Sequence, residues 1–98
     1  MMNTTHPITP PAGTTADTWQ PENYRIVYGP RRSLPSREDF TVTTTAVQHG
    51  DGRIDDGSTI EPPHVYLDHP DRGLTAGQAR ALAALLLDAA AEIDGWLA

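Results

Sequence analysis

Followed for its apolar and polar positions, the chain divides into several short stretches of period two and one long stretch of helical period. The first clear alternation is Tyr24-Arg25-Ile26-Val27-Tyr28. Successive side chains of a strand point to opposite faces, so Tyr24, Ile26 and Tyr28 share one side and Arg25 and Val27 the other. Gly29-Pro30 ends that strand, and Arg31 to Ser36, with Pro35 inside it, reads as a loop. Ser36-Arg37-Glu38-Asp39 has the outline of a helix capping box. The next residues, Phe40-Thr41-Val42-Thr43-Thr44-Thr45-Ala46-Val47, are dense in β-branched side chains, and propensity predicts a strand there.

That strand runs into Gln48-His49-Gly50-Asp51-Gly52, where Asp-Gly suits the positive φ angles of a type I′ hairpin turn. A return strand starts at Arg53-Ile54 and is interrupted by Asp55-Asp56-Gly57-Ser58, with a resumption expected at Thr59-Ile60. Pro62-Pro63 marks an edge position or a break, because proline cannot donate to a sheet ladder. His64-Val65-Tyr66-Leu67-Asp68 reads as a further short strand, closed by His69-Pro70-Asp71-Arg72-Gly73.

The helical segment is the clearest. Thr75 with Gln78 three residues on forms a capping box, and Leu74 sits at the staple position before it. No proline interrupts Ala76 to Leu97. At 100° per residue Leu82, Leu85, Leu86, Ala89, Ile93 and Trp96 fall on one face, which must be buried against a sheet. Leu87 departs from that face and lies with Ala83, Ala84, Ala90 and Ala91 along a smooth strip of small residues. Leu87, Ala84 and Ala91 are therefore candidates for an interface with a second helix, as in a homodimer.

Residues 1–18 carry threonine and proline with little that could be buried, so they are expected to form a disordered N-terminal tail. Residues 19–98 are expected to form a single α+β domain: a small antiparallel sheet of three to four short strands packed against one C-terminal amphipathic helix. A core of that size supplies only about 3–5 kcal/mol unless something staples it. With no cysteine in the chain, disulfides and thiolate metal sites are excluded, and self-association becomes a route to extra stability. No charged segment precedes an apolar stretch at the start, and the longest apolar run, Ala81 to Leu87, is far short of a membrane span. A cytoplasmic protein is expected.

Charge changes the picture further. Thirteen acidic residues oppose seven basic ones for a net charge of −6, and every base is arginine. Arg25, Arg31, Arg32 and Arg37 fall close together, and a stretch crowded with aspartate and glutamate comes after them. If these segments lie on different faces the surface is dipolar, and the four arginines become candidate interface or phosphate-contacting residues. The overall acidity points away from nucleic acid.

Candidate chemistry is thin. His49, His64 and His69 lack the helical pairing that marks a zinc site. Asp51 to Gly57 resembles a calcium loop only at first sight, since Arg53 stands at a ligand position, Asp56 where glycine is required and Pro62 where the bidentate Glu belongs. Ser33, Ser36 and Ser58 have no nucleophile elbow, and Gly50, Gly52 and Gly57 belong to turns that open no helix. No cofactor, metal or catalytic residue is expected, and the chain is not expected to be an enzyme.

Three stretches taken together carry a resemblance: Gln48 to Ile54, Glu61 to Leu67, and Leu74-Thr75-Ala76-Gly77-Gln78-Ala79-Arg80-Ala81-Leu82-Ala83. Over residues 40–97 the chain resembles small actinobacterial and actinophage proteins in which an LTxxQARxLAxxL helix closes a short β-rich domain. The resemblance implies a source and carries no activity or site residue. The function expected from the whole sequence is a non-enzymatic, self-associating protein-interaction module. The alternative is a nucleic-acid-associated protein using the arginine-rich loop at 25–37.

Overall fold

The computed structural model of the chain describes residues 8–98. Five strands, β1 (Thr15–Ala16), β2 (Tyr24–Tyr28), β3 (Arg32–Leu34), β4 (Arg37–His49) and β5 (His64–Asp68), precede one helix, α1 (Ala76–Leu97). The α+β architecture is the expected one, and β2, β5 and α1 occupy the residues their patterns marked. The short β1 and β3 carry no such mark and bring the sheet to five strands. Thr75 caps α1 and accepts from the Gln78 amide, while the Gln78 side chain accepts from the Thr75 amide at 3.0 Å.

β4 is the axis of the sheet, and all pairings are antiparallel. Thr45 faces Tyr28 on one side and His64 on the other, and Val42 likewise faces Arg32 and Leu67. β2 and β3 therefore succeed one another along one edge of β4, and β5 lies along the other. β1 is added outside β2.

Three local expectations are corrected. Arg32–Leu34 is a strand, not a loop, because β4 begins at Arg37 and reaches back far enough to pair with it across Pro35-Ser36. The turn after β4 is not type I′: of its residues only Gly52 has positive φ, at 96°. The Gly52 amide donates to the His49 carbonyl and the His49 amide to the Arg53 carbonyl, the pattern of a three-residue loop with one left-handed glycine. The return strand shrinks to a single bridge between Ile54 and Gln48, and Thr59-Ile60 forms no strand.

The pairing register assigns the two faces. Arg25, Val27, Arg32, Val42, Thr44, Ala46, Gln48, Val65 and Leu67 share the face on which α1 lies, as the bond from Thr44 to Glu92 of the helix fixes. Tyr24, Ile26, Tyr28, Thr43, Thr45, Val47, His64 and Tyr66 share the opposite face. α1 runs along β4 in the same direction. Gly73, just before the helix, accepts from Arg37, and Trp96 near its end lines a cavity with Gln48. Val27, Val42 and Ala89 are fully buried at the centre of this contact. Each such valine contributes about 1.5–3 kcal/mol through the apolar surface it removes from water.

Met1 to Pro7 lie outside the described residues. Residues 8–18, expected within the tail, run against the sheet: Thr15–Ala16 pairs with Tyr28 and Val27, and the Asp17 amide donates to the Ile26 carbonyl. Two polar side chains on the helix-side face hold the segment. Arg25 donates to the Ile8 carbonyl at 3.1 Å and Gln48 to the Thr9 carbonyl at 3.1 Å. Threonine-rich composition offers little to bury, but here the backbone of the segment supplies acceptors that buried donors require.

Candidate docking edge

A sheet of this order has two outer edges, and they are treated differently. On the β2 and β3 side the outermost strands are short: the two-residue β1, paired with Val27 and Tyr28, and the three-residue β3. On the other side β5 ends the sheet, and all five of its residues, His64-Val65-Tyr66-Leu67-Asp68, are exposed. The backbone groups along its outer side point away from β4 and have no strand to pair with among the described residues. Natural edges are usually blunted by lysine, proline or a bulge inside the strand. β5 has no lysine, proline or bulge within it and a single carboxylate, Asp68, at its end; Pro63 and Pro70 stand outside and limit the window to the strand itself.

The side chains of β5 extend this edge into a surface. Val65 and Leu67, on the helix side, remain 36% and 40% exposed, and Tyr66, on the opposite face, is 55% exposed. The helix lies over β4 and reaches both β3 and β5, yet leaves these side chains partly open. Glu92 accepts from Thr44 at 2.8 Å and lies 3.2 Å from the Arg32 guanidinium, which fixes its flank on the β3 side. Gly29 makes room for this link, since a Cβ there would meet Thr44 Oγ1 and Glu92 Oε1.

Counting round the helix from Ala89 at about 100° per residue puts Glu92 and Asp88 on that flank and Leu86, Ala90, Ala83 and Leu97 on the β5 flank. The first flank is charged, and the second is apolar except for Asp94, one turn after Ala90 at its outer margin. The β5 edge and the helix flank above it thus place exposed apolar side chains beside open backbone hydrogen-bonding groups.

A second cluster lies at the far end of the sheet. Asp55 is fully buried and accepts from the Ile60 and Glu61 amides at 2.7 and 2.8 Å, with His49 Nε2 at 3.3 Å from its other oxygen. Burial alone would raise its pKa, but the two amides and His49 outweigh it and hold the carboxyl at about 2. This carboxylate folds residues 55–61 back toward β4, where Thr59 and Ile60 line a cavity with Tyr24 and His49. With no nucleophile in it, the cluster organises a loop.

The structure disperses the residues marked in the sequence. Leu87, Ala84 and Ala91 lie on the outer face of α1, away from the sheet, and Leu87 is 72% exposed. Arg25 is buried: it donates to Gln48 Oε1 at 2.8 Å and stacks 4.3 Å above the Trp19 ring. Arg32 is bound to Glu92. Arg37 pairs with Asp39 at 3.2 Å and covers the Phe40 ring. Arg31 is exposed beside Tyr66 and Asp68, on the face opposite Arg25 and Arg32.

The four arginines adjacent in sequence are thus divided between the two faces and the tip of the sheet, and three of them are engaged by the protein itself. They form no common patch. His64 lies 3.5 Å from Glu61, and His69 stacks on Phe40. Among the described residues no three histidine, cysteine, aspartate or glutamate side chains converge as metal ligands do, and no helix is long and apolar enough to cross a membrane.

The β5 edge was missed in sequence, although its strand was found. An all-exposed strand containing Val, Tyr and Leu reads the same as a half-buried one until the pairing order shows that nothing lies beyond it. The chain matches no family model, no curated protein and no solved structure.

Proposed function

We propose that this chain is a non-enzymatic protein-interaction module, an accessory protein of actinobacterial or phage origin, that docks by adding a protein strand to β5. The observation that carries the reading is the exposure of all five β5 residues at a sheet edge that no proline or bulge interrupts, beside the largely apolar helix flank of Leu86, Ala90 and Leu97. Strand addition supplies main-chain hydrogen bonds along the edge, and the alternating side chains supply selectivity. Val65 and Leu67 would receive the apolar residues of an incoming strand on the helix side, and His64, Tyr66 and Asp68 would read those on the other. The division of Arg25, Arg31, Arg32 and Arg37 between different parts of the surface leaves the nucleic-acid reading without a phosphate-binding cluster.

The test is a selection of extended peptides displayed on phage against the purified chain, with each binder then measured on two variants. Leu67→Glu places a charge on this edge and should abolish binding, while Leu87→Glu, on the outer helix face, should leave it intact. Binders indifferent to Leu67→Glu, or no binder at all to a chain that sediments as a monomer, would remove the reading.

A further inference from the structure

Resting on that reading, we infer that the strand added to β5 is the β5 of a second copy of this chain, paired antiparallel about a two-fold axis through Tyr66. Read forward and backward, His64-Val65-Tyr66-Leu67-Asp68 is complementary to itself. With Tyr66 opposite Tyr66 of the second copy, Val65 faces Leu67, and His64 faces Asp68 at both ends. Aromatic and apolar pairs are among the cross-strand pairs that stabilise sheets, and an imidazole opposite a carboxylate supplies a hydrogen-bonding pair at each end.

Geometry selects this register over its neighbours. Residues directly opposite one another in an antiparallel pair point to the same face, so Val65 and Leu67 must meet each other and not His64, Tyr66 or Asp68 if both helices are to cover one face. Moving the axis to Val65 or Leu67 satisfies that condition but leaves three paired residues in place of five and sets His64 or Asp68 against Tyr66. Pro63 and Pro70 prevent recovery by extension at either end. The register centred on Tyr66 alone uses the whole window.

The helix flank agrees with it. The axis stands perpendicular to the sheet, so the two sheets join into one and both helices lie on the same side of it. Each turns toward the join the flank of Leu86, Ala90, Ala83 and Leu97, apolar and largely small, with Asp94 at its outer margin. Val65 and Leu67 of both copies, half-exposed in the single chain, lie beneath these flanks. A two-fold contact of this kind is closed, and it removes the edge that would otherwise template further pairing.

The chain has no cysteine, which permits a clean test. Opposed residues about a two-fold have Cα atoms about 4.5–5.5 Å apart, within the span of a disulfide. Tyr66→Cys in the full chain should oxidise to a covalent dimer at micromolar concentration, while Leu87→Cys should form no covalent link between the two copies. In sedimentation equilibrium the unmodified chain should approach twice its mass of 10.6 kDa. His64→Asp, and the double variant His64→Arg, Asp68→Arg, should each weaken self-association at least tenfold by placing like charges opposite one another. An equimolar mixture of those two variants should restore a dimer. A covalent dimer from Leu87→Cys and none from Tyr66→Cys would overturn the inference in favour of the outer helix face. A monomeric chain whose peptide binders still depend on Leu67 would overturn it too, while leaving strand docking at β5 intact.

Discussion

Gln48 sits at the centre of the helix-side face, 2% exposed, and its amide makes three bonds. Its oxygen accepts from Arg25 Nε at 2.8 Å, and its nitrogen donates to the Thr9 carbonyl at 3.1 Å and the Gly52 carbonyl at 3.2 Å. Gln48→Leu keeps the approximate volume and deletes all three. The guanidinium of Arg25 stays buried with one donor unanswered, which costs about 1.5–3 kcal/mol for a charged group. The two carbonyls are part-buried and add roughly 0.5 kcal/mol each after water reaches them. The expected loss is therefore about 3 kcal/mol, a large fraction of the about 5–15 kcal/mol that domains possess.

The double variant Gln48→Leu, Arg25→Leu removes the orphaned charge as well and should recover about 2 kcal/mol, less a contribution of about 0.5–1 kcal/mol from the lost stacking on Trp19. Urea unfolding followed by tryptophan fluorescence and circular dichroism measures each step of this cycle, and coupled neighbours should give an interaction energy well above about 0.5 kcal/mol. Additive losses in the double variant, or a single-variant loss below about 1 kcal/mol, would refute the view that this polar pair is a mutually dependent unit holding residues 8–18 on the sheet.

Asp55 should give the chain a distinct acid limb: its folded pKa, about 2, lies below the ordinary 3.8. Its contribution is complete above about pH 4 and is lost as pH falls from 3.8 toward 2, so the stability difference between the native chain and Asp55→Asn should be flat above about pH 4 and shrink below it. A difference independent of pH throughout that window would sink the assignment. Gly29→Ala should cost about 1–3 kcal/mol by pushing Thr44 and Glu92 apart, read as a lowered urea midpoint, and Glu92→Ala in the same background should return part of it. Leu87→Asp should change stability by less than about 0.5 kcal/mol and leave the sedimentation mass unaltered, since Leu87 touches little in the fold. A fall in mass would move the interface to the outer helix face.

Local chemistry determined a good part of this protein. The period-two run at Tyr24–Tyr28, the proline-bounded His64–Asp68 segment, and the Thr75 cap with its apolar stripe each depend on residues adjacent in the chain. Backbone sterics, capping and amphipathic period act over a few residues, so they are legible without the rest of the molecule. Arg32–Leu34 and Thr15–Ala16 are strands only because longer neighbours offer them partners, and their own residues carry no such signal.

The arginines show the same limit. Arg25, Arg31, Arg32 and Arg37 look like one cluster by number, but alternation and the turn at Pro35-Ser36 send them to different faces. Gln48 and Glu92, far off in the chain, and Asp39, on the same strand as Arg37, claim three of them. The order of the strands decided the rest. Whether a strand of Val, Tyr and Leu is a core or an edge depends on what stands beyond it. That is set by which strands β4 gathers on either side, a long-range fact that no local pattern contains.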